Sequence, residues 1–173
     1  MSELAELIRA NAVVRGRFTL ASGATSDHYF DLRRISLHPR GSQLIGDAII
    51  DHTRDWGYDA VAGLALGAVP VAIAAMTAAR DRGRQLPALI IRKEPKRHGL
   101  RRRIEGGDIR DTRVLIVEDT STTGDSTLIA VDAVREEGGT VVGVLLLVDR
   151  GGAEAIGAAG IVVRSVFTAA DLL

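Results

Sequence analysis

The apolar residues of this chain fall into two patterns that meet near Gly41. Beyond that point, short continuous apolar runs alternate with stretches of helical spacing. The runs are Ala60–Gly63, Ala88–Ile91, Val114–Val117 and Val141–Val148, and Ile161–Val166, which includes Arg164 and Ser165, reads as a last strand. A run without polar interruption is what a parallel strand covered on both faces requires. Between the runs the spacing predicts helices over Ser42–Asp55 and Pro70–Asp81. A third carries Leu128, Ile129, Val131 and Val134 and ends at Gly138-Gly139, and a short one begins near Ala153. Strands separated by helices imply right-handed crossovers and a parallel sheet. The first forty residues follow another style. Ser2–Asn11 places Leu4, Leu7 and Ile8 on one helical face, and Arg17–Leu20 and His28–Arg33 read as hairpin strands around the turn residues Ser22–Ser26. The expected fold class is α/β, with a central, mainly parallel sheet flanked by helices. Residues 1–173 are expected to form one domain, with 1–40 a small N-terminal hood and 41–173 the core.

In such sheets ligands sit beyond the carboxyl ends of the strands. Leu64–Gly67, Arg92–Arg103, Glu118–Gly124 and Asp149-Arg150 should therefore border one crevice. The most informative border is the stretch from Arg113 to Ser126, RVLIVEDTSTTGDS. A buried strand delivers two acids, Glu118 and Asp119, then the hydroxyl loop Thr120-Ser121-Thr122-Thr123-Gly124, and a helix follows. Backbone N–H groups and hydroxyls at a helix N-terminus are a ready anion site. The loop lacks the Gly-Lys-Ser/Thr of a triphosphate-binding P-loop and the G-x-G-x-x-G of dinucleotide folds. Acids beside a phosphate cradle suit a sugar phosphate, whose hydroxyls donate to the carboxylates while the loop holds the phosphate. As bare structure, the stretch is a strand–turn–helix with Thr122 or Thr123 as N-cap and Asp125 favouring the helix dipole. That reading leaves the acids and the hydroxyl run without a role.

Composition narrows the class. Apolar residues make up 46% of the chain, yet there are only one Trp, two Tyr and three Phe, so each aromatic residue carries information. Basic and acidic residues balance at 22 each, which gives no argument for a nucleic-acid partner. With no cysteine there is neither a disulfide nor thiol catalysis. No stretch reaches the roughly eighteen apolar residues of a membrane span, and Met1–Asn11 carries acids rather than a signal-peptide pattern. A soluble, cytoplasmic protein without a membrane partner is expected. No Cys/His cluster suits zinc and no pattern suggests a Ser–His–Asp triad; His38 and His52 read as structural or surface residues.

The run from Arg92 to Arg103, RKEPKRHGLRRR, holds seven Lys/Arg residues, one His and a single Glu. Leaving a strand at its carboxyl end, it would attract a multiply charged anion; on charge alone it is equally a solvated surface run. Taken together, three ordered motifs carry a resemblance. Val117–Gly124, VEDTSTTG, looks like the phosphoribosyl-pyrophosphate (PRPP) motif of type I phosphoribosyltransferases. RKEPKRHG resembles the basic loop of the orotate phosphoribosyltransferases, and Phe18–Asp31 is similar to the hairpin that covers the pyrimidine in those enzymes.

The resemblance implies the type I phosphoribosyltransferase fold and transfer of a phosphoribosyl group from PRPP to orotate, giving orotidine 5′-monophosphate and pyrophosphate. It implies that Thr120, Ser121, Thr122, Thr123, Gly124, Asp125 and Ser126 hold the 5′-phosphate, and Glu118 and Asp119 the ribose. Arg92, Lys93, Lys96 and His98 would bind pyrophosphate, with Lys96, His98 and Asp119 catalytic. Arg150, otherwise a surface partner for Asp149, would hold the orotate carboxylate together with Thr122. Tyr29 and Phe30 are either hood core or a base contact; on a strand they face opposite ways, so only one packs on the ring. Mg²⁺ is implied as cofactor, held mainly through PRPP with no direct protein ligand. A homodimer with shared sites is implied as well, each basic loop reaching its partner's site. Three departures from the family pattern stand out: Ala21 and Gly67 occupy positions where lysine is frequent, and Glu118 replaces the commoner Asp. Arg101, Arg102 and Arg103 fall outside the motif and are expected to be solubility or dimer-surface charges.

Two other readings of the sequence remain open. A phosphoribosyltransferase for a different base would lack the full basic loop together with Arg150. A PRPP-sensing regulator of nucleic acid should add a basic face or a helix-turn-helix segment, which the first forty residues do not contain.

Overall fold

The apolar runs become a six-stranded sheet in the computed structural model, which describes residues 2–19, 25–94 and 103–173. Its order is β5 (Ile104–Glu105), β4 (Ala88–Ile91), β3 (Ala60–Leu64), β6 (Arg113–Ser121), β7 (Thr140–Asp149) and β8 (Val163–Thr168). Every neighbouring pair is parallel except β4–β5. Alternation along the strands divides the apolar side chains between two cores. Leu115, Val117, Leu145 and Leu147 face a layer built from α1 (Glu3–Asn11), α3 (Pro39–His52) and α4 (Val69–Asp81). Val114, Ile116, Val144 and Leu146 face α5 (Asp125–Glu136) and α6 (Gly152–Ala158). Each fully buried Leu, Ile or Val contributes about 1.5–3 kcal/mol, so both faces stabilise the central strands on which the crevice is mounted.

Close approach shapes the layers. A Cβ on Gly46 would lie 2.3 Å from the Ala74 carbonyl oxygen, which lets α3 pack directly on the alanine-rich α4. Register then sets the site. Gly63 pairs with Val117, Glu118 with Leu146, and Ser121 with Asp149, so the acidic pair and the start of Arg150 emerge from adjacent strands at the same end of the sheet.

The hairpin, β1 (Val13–Thr19) and β2 (Thr25–Phe30), forms a separate two-stranded sheet with a register shift between Arg15 and Phe18. It begins four residues earlier than the expected Arg17–Leu20, because Val13 and Val14 already pair with Phe30 and Tyr29. Its second strand ends at Phe30; Arg33–Ser36 is instead a helical turn, α2. Leu4, Ala5 and Ile8 of α1 are buried in the core shared with α3 and α4. A final helical turn, α7 (Ala169–Leu172), closes with a capping box between Thr168 and Asp171. His38 caps α3 and His52 Nδ1 donates to the Ala48 carbonyl, both structural.

Candidate active site

Period-two alternation gives the two acids at the end of β6 different surroundings. Glu118 continues the face of Val114 and Ile116, toward α5, and is 6% exposed. Burial, then the neighbouring charge of Asp119 and a hydrogen bond with it, push the Glu118 carboxyl up to about 8. Thr127 lies close enough to favour the ionised form slightly, yet its buried hydroxyl has no partner at ordinary hydrogen-bond geometry. Asp119 continues the opposite face and is half-buried. Its Oδ1 accepts the Thr120 N–H at 2.8 Å, while its own N–H points to Glu118 Oε1 at 3.3 Å. Across from it stands Gly67, in the turn after β3: a Cβ there would lie 2.7 Å from Asp119 Oδ2. The glycine at this position is what lets the carboxylate approach that turn.

The hydroxyl loop is shorter than the sequence suggested, because Thr120 and Ser121 still belong to β6. Ser121 is buried, with its Oγ where a Cβ on Gly152 would collide at 2.1 Å. Thr122 and Thr123 are exposed, and Gly124 (φ +84°) turns the chain into α5. Neither threonine is the N-cap; Gly124 is, without a side-chain cap. The Thr123 hydroxyl donates to Asp125 Oδ2 at 2.8 Å and takes the Asp125 N–H at 3.4 Å. The N–H groups of Ser126 and Thr127 lie in a first turn that has no intrahelical acceptors. An anion seated over Thr122–Ser126 would meet those donors and the positive end of α5.

Asp149 and Arg150 divide their roles. Asp149 Oδ1 accepts the N–H groups of Gly151 (3.0 Å) and Ala153 (3.1 Å), so it fastens the start of α6 and is not the partner of Arg150. The Arg150 N–H donates to the Ser121 carbonyl at 2.8 Å, and its guanidinium lies 5.5 Å from the Phe30 ring centre. Phe30 is buried in the core, whereas Tyr29 is half-buried and tilted against Phe18 with ring centres 5.7 Å apart. The pair is thus split, with Tyr29 on the more open side.

At the ends of the basic run, Arg92 pairs with Glu105 at 3.0 Å and Lys93 is exposed. Arg103 is not a free surface charge, contrary to expectation. It pairs with Glu136 at 2.9 Å, while its N–H and that of Ile104 donate to Glu137 Oε1 at 2.6 and 3.1 Å. These bonds fasten β5 to the end of α5, a long-range pairing that no local pattern announces. Lys96 and His98 lie outside the described residues, as do Ala21, Arg101 and Arg102. Arg33, at the start of α2, went unnoticed in the sequence; its Nη2 is 3.5 Å from Tyr29 Oη. Among the described residues, no group of three or more His, Cys, Asp or Glu side chains could hold a metal ion. No helix among them is long and apolar enough to cross a membrane.

Residues 32–158 match the phosphoribosyl transferase domain family. The chain is 54% identical over 173 residues to an orotate phosphoribosyltransferase of Mycobacterium tuberculosis strain H37Rv, covering 99% of this chain and 95% of that protein. It is 53% identical to one from Corynebacterium glutamicum, covering 99% and 92%. A crystal structure of the M. tuberculosis H37Rv enzyme in complex with PRPP superimposes with a TM-score of 0.84 at 50% identity, covering 98% of this chain and 96% of that one.

Proposed function

The chain belongs to the phosphoribosyl transferase domain family as an orotate phosphoribosyltransferase, and from that premise we propose how its residues divide the work. The reaction is transfer of the 5-phosphoribosyl group of PRPP to orotate, giving orotidine 5′-monophosphate and pyrophosphate in pyrimidine biosynthesis. The observation that carries our assignment is the convergence of the β6 acids, the open turn of α5 and Arg150 at one end of the sheet. The 5′-phosphate sits over Thr122–Ser126, held by backbone N–H groups and the dipole of α5. Asp119, the more open acid, accepts hydrogen bonds from the ribose hydroxyls and orients the anomeric carbon. Buried Glu118 supports it from beneath. Arg150, steadied over Phe30, forms a bidentate pair with the orotate carboxylate. Tyr29 borders the base. Lys93, Lys96 and His98 stabilise the negative charge that develops on the departing pyrophosphate.

The donor set fits Mg²⁺ bound through the substrate. Two adjacent carboxylates, one of them buried and holding its proton, make a poor protein cage, and Mg²⁺ commonly takes its oxygens from substrate phosphates and water. When bound, Mg²⁺ supplies charge neutralisation of the diphosphate. We further propose a cytoplasmic homodimer with small-molecule substrates and no nucleic-acid or membrane partner. Its support is apolar exposure beside the site: Leu66, next to Gly67, is 74% exposed, and Leu37 and Ile73 on the α2–α4 side are 70% and 46% exposed.

Pyrophosphate release from PRPP, with orotate, uracil, hypoxanthine and xanthine offered separately, tests the division of work. Orotate alone should support release, and chelation of Mg²⁺ should abolish it. Efficient turnover of hypoxanthine would remove Arg150 from its role. For the shared site, Asp119→Asn and Lys96→Ala proteins, each nearly inactive, should regain partial activity when mixed and allowed to exchange subunits. Confirmed exchange without recovery would place each basic loop in its own subunit.

A further inference from the structure

Most arginines of known environment here are committed to structure. Arg113 grips Asp59 through two nitrogens at 2.9 Å, Arg164 grips Asp55 at 2.6 and 2.7 Å while lying 4.7 Å from the Trp56 ring centre, and Arg82 bridges Asp47 and Asp51. Arg33 differs. Its side chain is half exposed, and its two contacts are at the long limit of a hydrogen bond: Nε to Asp31 Oδ1 at 3.4 Å and Nη2 to Tyr29 Oη at 3.5 Å. Its neighbour Arg34 already serves Asp31 through the other carboxylate oxygen at 3.2 Å, so Asp31 is not left alone if Arg33 turns away. Tyr29, then Asp31, and more weakly Asp119, hold the guanidinium above its ordinary pKa, which places Arg33 in the electrostatic reach of the candidate site.

The opposite wall supplies the second half of the argument. PRPP brings its diphosphate to the sugar carbon that Asp119 orients, where the carboxylate itself repels it. The turn after β3 cannot bring a side chain to Asp119 without displacing it, because even a Cβ on Gly67 would stand 2.7 Å from Oδ2. Arg150 is engaged over Phe30, and Arg92 is paired with Glu105. Resting on the functional reading above, we propose that Arg33 is a diphosphate-binding residue, which exchanges its loose contacts with Tyr29 and Asp31 for a bidentate grip on PRPP. A guanidinium suits this exchange, since its planar fork matches two phosphate oxygens at once.

The test is PRPP binding to the whole protein with Mg²⁺ and without orotate, measured by titration calorimetry, so that turnover plays no part. Arg33→Gln should weaken PRPP about ten- to a hundredfold, as expected for loss of a charge-assisted hydrogen bond. Arg33→Lys should recover part of that loss, and Arg34→Gln should leave PRPP affinity unchanged. Thermal midpoints of the Arg33 variants should stay at the wild-type value, and the KM for orotate should change less than threefold. PRPP affinity within twofold of wild type in Arg33→Gln overturns the proposal. So does a loss confined to orotate, which would move Arg33 to the base, or a loss that Arg34→Gln reproduces. Failure of the wild-type protein to bind PRPP would overturn the functional reading itself, a distinguishable result.

Discussion

Replacing Glu118 by Gln should change how the stability of the free protein depends on pH. Glu118 is 6% exposed, and its carboxyl is raised from the ordinary 4.5 to about 8 by burial and by Asp119. The folded state therefore holds this proton where the unfolded chain has lost it. Below about pH 4.5 both states are protonated and the group costs nothing. Between about 4.5 and 8 unfolding releases the proton, so stability falls as pH rises, and above about 8 the loss is complete. At about 1.4 kcal/mol per pKa unit the full difference approaches about 5 kcal/mol, and relaxation around the charged group lowers this toward about 2. Gln keeps the shape and cannot ionise, so the variant should escape the decline. The other strongly displaced acids do not interfere: Asp55 and Asp59, drawn down to about 2 by Arg164 and Arg113, titrate below this window. Urea unfolding at pH 5.5 and 9.0 reads the effect. About two thirds of the decline lies above pH 5.5, so with a slope of about 2 kcal/mol/M the wild-type midpoint should drop by about 0.7 M more than that of Glu118→Gln. Identical pH responses would mean that Glu118 is ionised in the folded protein and that water reaches it.

Three further outcomes follow from the site. Asp119→Asn should leave the thermal midpoint unchanged and lower turnover by about 1.5–3 kcal/mol of barrier, the worth of a hydrogen bond to a charged group; near-normal turnover would shift the ribose contact elsewhere. Arg150→Ala should raise the KM for orotate far more than that for PRPP, whereas equal losses would make Arg150 structural. Gly67→Ala, whose Cβ would crowd Asp119 Oδ2, should depress kcat/KM with little change in stability, because the group that must move is the end of a side chain and not backbone; unchanged kinetics would free Asp119 from its position.

What could be read from the sequence follows physical range. Strands β3, β4, β6 and β7 were legible because each is apolar on both faces, and the crevice followed from where such strands end. The difference between Glu118 and Asp119 was latent in the same alternation, since Glu118 shares parity with Val114 and Ile116 and so lies under α5. β5 was not legible: two residues paired across a basic run carry no periodic signal, and Arg103 is fastened by Glu136 and Glu137 more than thirty positions away. The hairpin began earlier than expected because the register shift near Gly16 interrupts its alternation. Arg33 was hidden because a four-residue helical turn, α2, reads locally as the end of a strand.

The most direct test of the whole account is a crystal structure of the protein with PRPP, Mg²⁺ and an unreactive orotate analogue. The 5′-phosphate should lie over the N–H groups of Thr122–Ser126, with a ribose hydroxyl within about 3 Å of Asp119 and the analogue's carboxylate paired with Arg150. A phosphate bound away from the N-terminus of α5, or a ribose that does not touch Asp119, would contradict it.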